Sequence, residues 1–368
     1  MRIAIVPKSY PAMAPFGSVR GARMAALALQ RLGVSVEVVT ADLGPDTSAY
    51  RWDTVTDADG VTVTRALPGT VVSPRQVIWR ALLARGPFDA VLITQPGHFG
   101  QSAITAARHW GVPALVHLSG PDVLQDLFAP DWAPFLIWTL GKATAVAAAT
   151  AEMAELAPPF TTAPVAVWPE PHLTAVAPPP RPAVEALWAL PQSPLRIGLP
   201  GPFAEGSGFV DALAAFGMLR RDHPAATLLV IGTLPIPHQH QLATWQQGDP
   251  DSAAQMRAVP TAEDEDLSAL CRACDQIWLP WEVATTTAPL TAAMAAGAPV
   301  ITTTVPALAA LVADDETGLL VAPGDGHALA AAAKRLVAEP ERAWRLGTAA
   351  QARWAAIAGF DPFVARMS

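Results

Sequence analysis

Cysteine is nearly missing from this sequence, with only Cys271 and Cys274 among 368 residues. Zinc would need two further ligands at suitable spacing, and a redox pair wants the exposed first turn of a helix. These two sit late in the helical run D-L-S-A-L-C-R-A-C-D, so they read as buried, reduced thiols and no metal is assigned. Charge is scarce as well, at 15% of residues. No Lys/Arg cluster is large enough to neutralise a phosphate backbone, which excludes a nucleic-acid partner. Long apolar runs are also missing. The longest are diluted by alanine or broken by Thr, Pro or charge, so no transmembrane segment is read, and M-R-I-A-I-V-P at residues 1–7 lacks the apolar core of a secretion signal. The expectation is a cytoplasmic chain, with a peripheral position on the inner membrane face left open.

What is present is a globular pattern. Half of the residues are apolar (51%), and they come in short runs broken by Pro and Gly. Residues 1–165 carry 12 basic and 12 acidic side chains and residues 166–368 carry 12 and 20, which puts the whole net charge of -8 in the second half. Strand-like and helical stretches alternate from the start: R-I-A-I-V-P at 2–7, helical spacing over 19–32, V-S-V-E-V-V-T at 34–40, a hairpin in D-G-V-T-V-T-R at 59–65, and F-D-A-V-L-I-T at 88–94. A helix over 101–110 leads through Gly-Val-Pro into A-L-V-H-L at 114–118. Eleven prolines between 157 and 194 mark a linker. Alternation then resumes with L-R-I-G-L at 195–199, T-L-L-V-I-G at 227–232, Q-I-W-L-P at 276–280, P-V-I-T-T at 299–303 and T-G-L-L-V at 317–321. The expected organisation is an α/β domain over 1–165, a Pro-rich linker over 166–194 and a second α/β domain over 195–349, with C-terminal helices at about 350–368 returning to the first domain. Two doubly wound parallel sheets of this kind imply an interdomain cleft at the carboxyl ends of their strands.

With this order of elements, several runs resemble those of the GT-B glycosyltransferases, most similarly the family 4 group of retaining sugar-nucleotide transferases. In the first half they are R-I-A-I-V-P, Phe16-Gly17-Ser18 leading into R-M-A-A-L-A-L-Q-R-L-G, and G-V-P-A-L-V-H-L-S-G. In the second half they are D-L-S-A-L-C-R-A-C-D-Q-I-W-L-P, A-A-M-A-A-G-A-P-V-I and E-T-G-L-L-V-A-P-G-D. The resemblance covers nearly the whole chain. It implies two facing Rossmann-like domains, a nucleotide-sugar donor, no cofactor, and a glycan or lipid-linked acceptor of the kind used in polysaccharide biosynthesis.

The resemblance also implies site residues, and here the sequence departs from the pattern. The family's paired glutamates fall on Ala284 and Ala292. Its Arg and Lys for the donor diphosphate fall on Pro202 and Ser207 of G-P-F-A-E-G-S-G, and its first-domain His falls on Ser119, with His117 two residues back on the same face of the strand. A Gly-Gly pair and a Glu fall on Pro306, Ala307 and Ala310. The remaining catalytic candidates are Glu282, which stands two residues before the first glutamate position, His117 and Asp122. The ligand-binding candidates are Gly17, Ser18, Arg20, Ser119, Gly120, Gly201, Ser207, Thr285, Thr286 and Thr287, with Lys8 also near a strand end. The three threonines before Pro289 serve either as a neutral phosphate cradle at a helix N-terminus or as its cap. The glycines from 198 to 208 fit either a close ligand approach or turns. His238 and His240 have a metal-pair spacing but lack a third ligand.

Two functions follow. One is a transferase with an altered anion site. The other is a catalytically degenerate scaffold that serves as partner subunit to an active glycosyltransferase or binds a glycan. In either case common sugar nucleotides are expected to bind weakly and to be turned over poorly, because removing one preorganised donor to a developing charge costs about 2.7 to 4 kcal/mol of barrier.

Overall fold

The computed structural model describes residues 1–7, 18–41, 51–57, 60–67, 74–94, 96–119, 126–168, 179–260, 264–284 and 286–357. The chain divides into two compact units, with the boundary between residues 173 and 174.

In the first unit the elements run β1 (Arg2–Pro7), α1 (Ser18–Arg31), β2 (Ser35–Ala41), β3 (Arg51–Thr56), β4 (Thr62–Leu67), α2 (Pro74–Arg85), β5 (Ala90–Thr94) and α3 (Gly97–Trp110). They continue with β6 (Ala114–Leu118), α4 (Ala133–Leu140), β7 (Ala145–Ala148), α5 (Ala151–Leu156) and β8 (Val165–Val167). One sheet takes them in the order β3-β4-β2-β1-β5-β6-β7-β8. Every neighbouring pair is parallel except the β3–β4 hairpin. The central strand shows why its sequence is apolar throughout. Ile3 and Ile5 pack on one face with Ala22, Leu29 and Leu92, while Ala4 and Val6 pack on the other with Val77, Ile93 and Ala103. A parallel strand covered on both faces has no side for polar residues.

One charge is nevertheless built into this core. Glu37 of β2 is buried, and its carboxylate accepts from Arg85 Nε at 2.6 Å, Arg2 at 2.7 Å and Thr64 Oγ1 at 2.7 Å. Burial alone would push this carboxyl up. The bonds from Arg85, Thr64 and Arg2 outweigh it and hold Glu37 below the ordinary carboxylate range.

In the second unit α6 (Arg181–Leu187) precedes β9 (Arg196–Pro200), α7 (Phe209–Arg220), β10 (Thr227–Ile231), α8 (Ile236–Gly248), α9 (Pro250–Ala253) and β11 (Met256–Val259). Then come α10 (Asp264–Arg272), β12 (Gln276–Leu279), α11 (Ala288–Ala296), β13 (Val300–Thr303), α12 (Pro306–Ala309), β14 (Leu319–Val321), α13 (Gly326–Ala338) and α14 (Pro340–Ile357). The sheet order is β11-β10-β9-β12-β13-β14, parallel throughout. From β9 the chain winds outward to β10 and β11, then returns to the other side of β9 with β12. That reversal leaves a crevice beyond the carboxyl ends of β9 and β12, where α/β sheets bind ligands.

The expected linker has structure at both ends. It begins within β8, and α6 lies inside it, with Val184 in the second core. Arg181 bonds Asp275 at 2.7 Å, and the buried Arg196 bonds Glu185 at 2.8 Å. Residues 169–178 lie outside the described residues. At the far end, Ala350 and Trp354 of α14 are buried in the second unit's core, Gln351 donates to Ala295 O at 2.8 Å, and Trp344 is exposed. The expected return of the last helices to the first domain concerns, beyond α14, residues 358–368, which lie outside the described residues. Both cysteines are buried. Cys274 Sγ donates to Leu270 O at 3.2 Å, and burial pushes its thiol up to about 12. Among the described residues no helix is long and apolar enough to cross a membrane.

Candidate functional site

The site is built on the loop that follows β9. Gly201 N–H donates to Ile231 O at 2.9 Å, which ties the loop's start to the end of β10. Its other end is tied to the segment after β12, where Gly206 O accepts from Glu282 N at 2.7 Å and Val283 N at 3.2 Å. Gly208 explains the need for glycine here. Its φ is +62°, and a Cβ at this position would overlap the Pro280 carbonyl oxygen. Three strand ends are thus drawn together by backbone bonds and close approach.

Gly208 is also the cap of α7 and supplies no side-chain bond to it. The first N–H groups of a helix have no partner within it and carry its positive end. In front of them lies a pocket of about 330 Å³ lined by Ala204–Asp211, Pro237, His238, Gln241 and Glu282. Ser207 and His238 are its buried polar side chains, with Ser207 Oγ 3.3 Å from His238 Nε2. The imidazole packs against the rings of Phe203 and Phe209, at centroid distances of 6.3 and 5.5 Å. Its Nδ1 is buried and finds no hydrogen-bond partner among the described residues. Three carboxylates, Glu205, Asp211 and Glu282, also line the pocket, and no Lys or Arg does among the described residues. Burial, and then the neighbouring charge of Asp325, holds the Asp211 carboxyl above its ordinary range.

Of the sequence candidates, Ser207 and Glu282 line this pocket and Gly201 starts its loop. Thr286 and Thr287 are not among its lining residues. Thr286 Oγ1 accepts from Ala288 N at 3.1 Å, which is the work of a helix start. Thr287 is buried, and its hydroxyl has no partner among the described residues. Ala284 and Ala292 are both buried in the second core, Ala292 with 0% of its surface exposed. In the first unit, His117 is buried, and its Nε2 lies 3.2 Å from Trp168 O. A carbonyl can only accept, so Nε2 carries the proton, and burial pushes the ring's pKa down. Ser119 is buried. Ser18 opens α1 and Arg20 lies within it, their side chains being outside the description. Lys8, Gly17, Gly120, Asp122 and Thr285 lie outside the described residues.

Sequence reasoning missed the pocket role of His238. It paired His238 with His240 by spacing, yet residues two apart on a helix point away from each other, and α8 buries the first and exposes the second. The usable signal was position: P-I-P-H starts a helix directly after the carboxyl end of a buried strand.

Comparison with known proteins supports the same frame. Residues 16–169 match the glycosyl transferase 4-like domain, and residues 195–339 match glycosyl transferases group 1. A glycogen synthase of Mycobacterium tuberculosis is 31% identical over 152 residues, a stretch covering 40% of this chain and 34% of that protein. The match thus spans about a third of the curated relative. Among solved structures, sucrose-phosphate synthase from Thermosynechococcus elongatus superposes with a TM-score of 0.78 at 21% identity, over 100% of this chain and 97% of that one. Anabaena HepE in complex with UDP and glucose gives 0.78 at 14% identity, over 100% and 99%. Identities this low speak for the fold alone. Family match, two-unit topology and superposition agree: the chain belongs to the GT-B glycosyltransferases of the family 4-like type.

Proposed function

We propose that this protein transfers a sugar from a nucleotide-sugar donor to a hydroxyl of a glycan or lipid-linked acceptor. The observation that carries the reading is the pocket at the β9–β12 reversal, where the start of α7 meets Ser207 and His238. In the transfer, the bond from the anomeric carbon to the diphosphate oxygen breaks, a bond to the acceptor oxygen forms, and the acceptor hydroxyl loses its proton. Negative charge grows on the departing diphosphate. Helix N–H groups, the Ser207 hydroxyl and the His238 ring are the groups here suited to meet it. HepE has been solved with UDP-glucose, which makes that compound a rational first probe.

A second reading rests on one observation. Ala284 and Ala292, the positions to which the resemblance assigns carboxylates, are packed into the core, which favours a partner subunit or glycan-binding protein that retains the scaffold without turnover. Calorimetry with uridine, guanosine, adenosine and thymidine diphosphate sugars, followed by transfer assays with the donor that binds, separates the two. Binding and transfer are expected. Failure of every donor to bind, together with co-purification of an intact transferase, would replace the first reading by the second.

A further inference from the structure

We infer that His238, in its protonated form, is the cationic ligand of the donor diphosphate, so that nucleotide-sugar binding strengthens as the pH falls through the imidazole range. This rests on the donor reading of the pocket given above.

A nucleotide diphosphate sugar carries one negative charge on each phosphate across the neutral range, and no Lys or Arg is among the described residues that line the pocket. Among these described lining residues only His238 can become positive. It stands where a cation would be needed: its Nε2 is 3.3 Å from Ser207 Oγ, and Ser207 immediately precedes Gly208, the cap of α7. Ring and hydroxyl therefore flank the N–H groups that open the helix. The imidazole also has unused capacity. With 8% of its surface exposed it is more than nine-tenths buried, and Nδ1 has no partner among the described residues. In the neutral ring one nitrogen donates and the other accepts, whereas in the cation both donate. An arriving oxyanion would give the protonated ring an acceptor that the folded chain alone does not supply.

The other groups facing the ring set the direction of the pH response. Phe203 and Phe209 are apolar and do not titrate. Gln241, one turn along α8, is neutral, and Glu205, Asp211 and Glu282 are the acids of the pocket. Imidazole is the side-chain group suited to change charge within the physiological range, which sets the span from pH ~8 to ~5.5 for the test. Asp211, held above its ordinary range, adds to the response in the same direction by losing negative charge as the pH falls.

The test is isothermal calorimetry with UDP-glucose at pH 8.0 and 5.5, using the whole chain. Its phosphates do not titrate in this range, unlike the terminal phosphate of UDP. Since a hydrogen bond from a charged donor is stronger than one from a neutral donor, binding should be about tenfold tighter at the lower pH. His238→Gln should hold binding near the weak, high-pH level and keep only the small slope that Asp211 supplies, and His238→Lys should hold it near the tight level with the same small slope. Ser207→Ala, which leaves the ring in place, should weaken binding while keeping the pH slope. Thermal melting of each variant identifies any that fail to fold, and the wild-type slope with Ser207→Ala then still decides. A wild-type profile that is flat, or a slope that survives undiminished in folded His238→Gln, overturns this inference and leaves the donor reading intact. Absence of UDP-glucose binding by wild type and His238→Lys at both pH values sinks the UDP-glucose donor site and this inference with it.

Discussion

Glu37 in the first unit and the three acids of the second unit's pocket are opposite treatments of the same functional group. Glu37 is enclosed, and two guanidinium groups and a hydroxyl answer its charge. Glu205, Asp211 and Glu282 line an open pocket, and none of them forms an ion pair among the described residues. A buried carboxylate without partners would cost several kcal/mol, so the first arrangement is a requirement of folding. The second is tolerable because water reaches it, and it leaves the pocket's charge to be set by what binds. Around Glu37 the cations serve structure, while the second unit's pocket exposes uncompensated acid around one imidazole.

That contrast can be broken hardest by placing a carboxylate where neither remedy exists. Ala292→Glu buries a charge in an apolar helix and should cost about 4 kcal/mol or more in urea unfolding. A loss below 1 kcal/mol would mean the site opens readily. Next, Arg85→Ala removes the shortest bond to Glu37 while Arg2 and Thr64 still answer the carboxylate, and it should cost about 1.5 to 3 kcal/mol, the contribution of a hydrogen bond to a charged group. The same cluster gives a pH signature. Glu37 titrates lower when folded than when unfolded, so its contribution is complete above the unfolded carboxylate value of about 4.3 and is lost as the pH falls through the folded one. Wild type should therefore lose stability more steeply than Glu37→Gln below pH ~4; parallel acid limbs would remove the cluster from the account. Gly208→Ala should cost about 1 to 3 kcal/mol through strain and collision with Pro280, and should weaken donor binding as the loop shifts. The smallest effects belong to the pocket. Glu282→Gln should change stability by no more than about 0.5 kcal/mol. Asp211→Asn should tighten UDP-glucose binding by about two- to fivefold at pH 8, measured by calorimetry, since it removes a like charge.

The two regions also differed in how far they could be read in advance. The sheets were legible because buried parallel strands demand continuous apolar runs, such as R-I-A-I-V-P, and because Gly-bounded helices separate them. The G-P-F-A-E-G-S-G loop was legible as a turn, and Gly208 shows why that stretch needed a glycine. Ser207 and Glu282 were placed near the site by position in the pattern. His238 was not, because its partner lies 31 residues away and only the adjacency of β9 and β10 brings the two together. The burial of Ala292 was equally hidden, since an alanine-rich helix looks alike whether it lines a pocket or fills a core. The pairing of Glu37 with Arg2 and Arg85 depends on contacts across three elements that local periodicity does not encode.

The pocket at the β9–β12 reversal is the proposed seat of the donor's diphosphate. A crystal structure of the chain soaked with UDP-glucose at pH 5.5 is the decisive experiment. Phosphate oxygens are expected within hydrogen-bond distance of Ser207 Oγ, the His238 ring and the first N–H groups of α7. A diphosphate bound away from these groups, with the pocket unchanged, would contradict this placement.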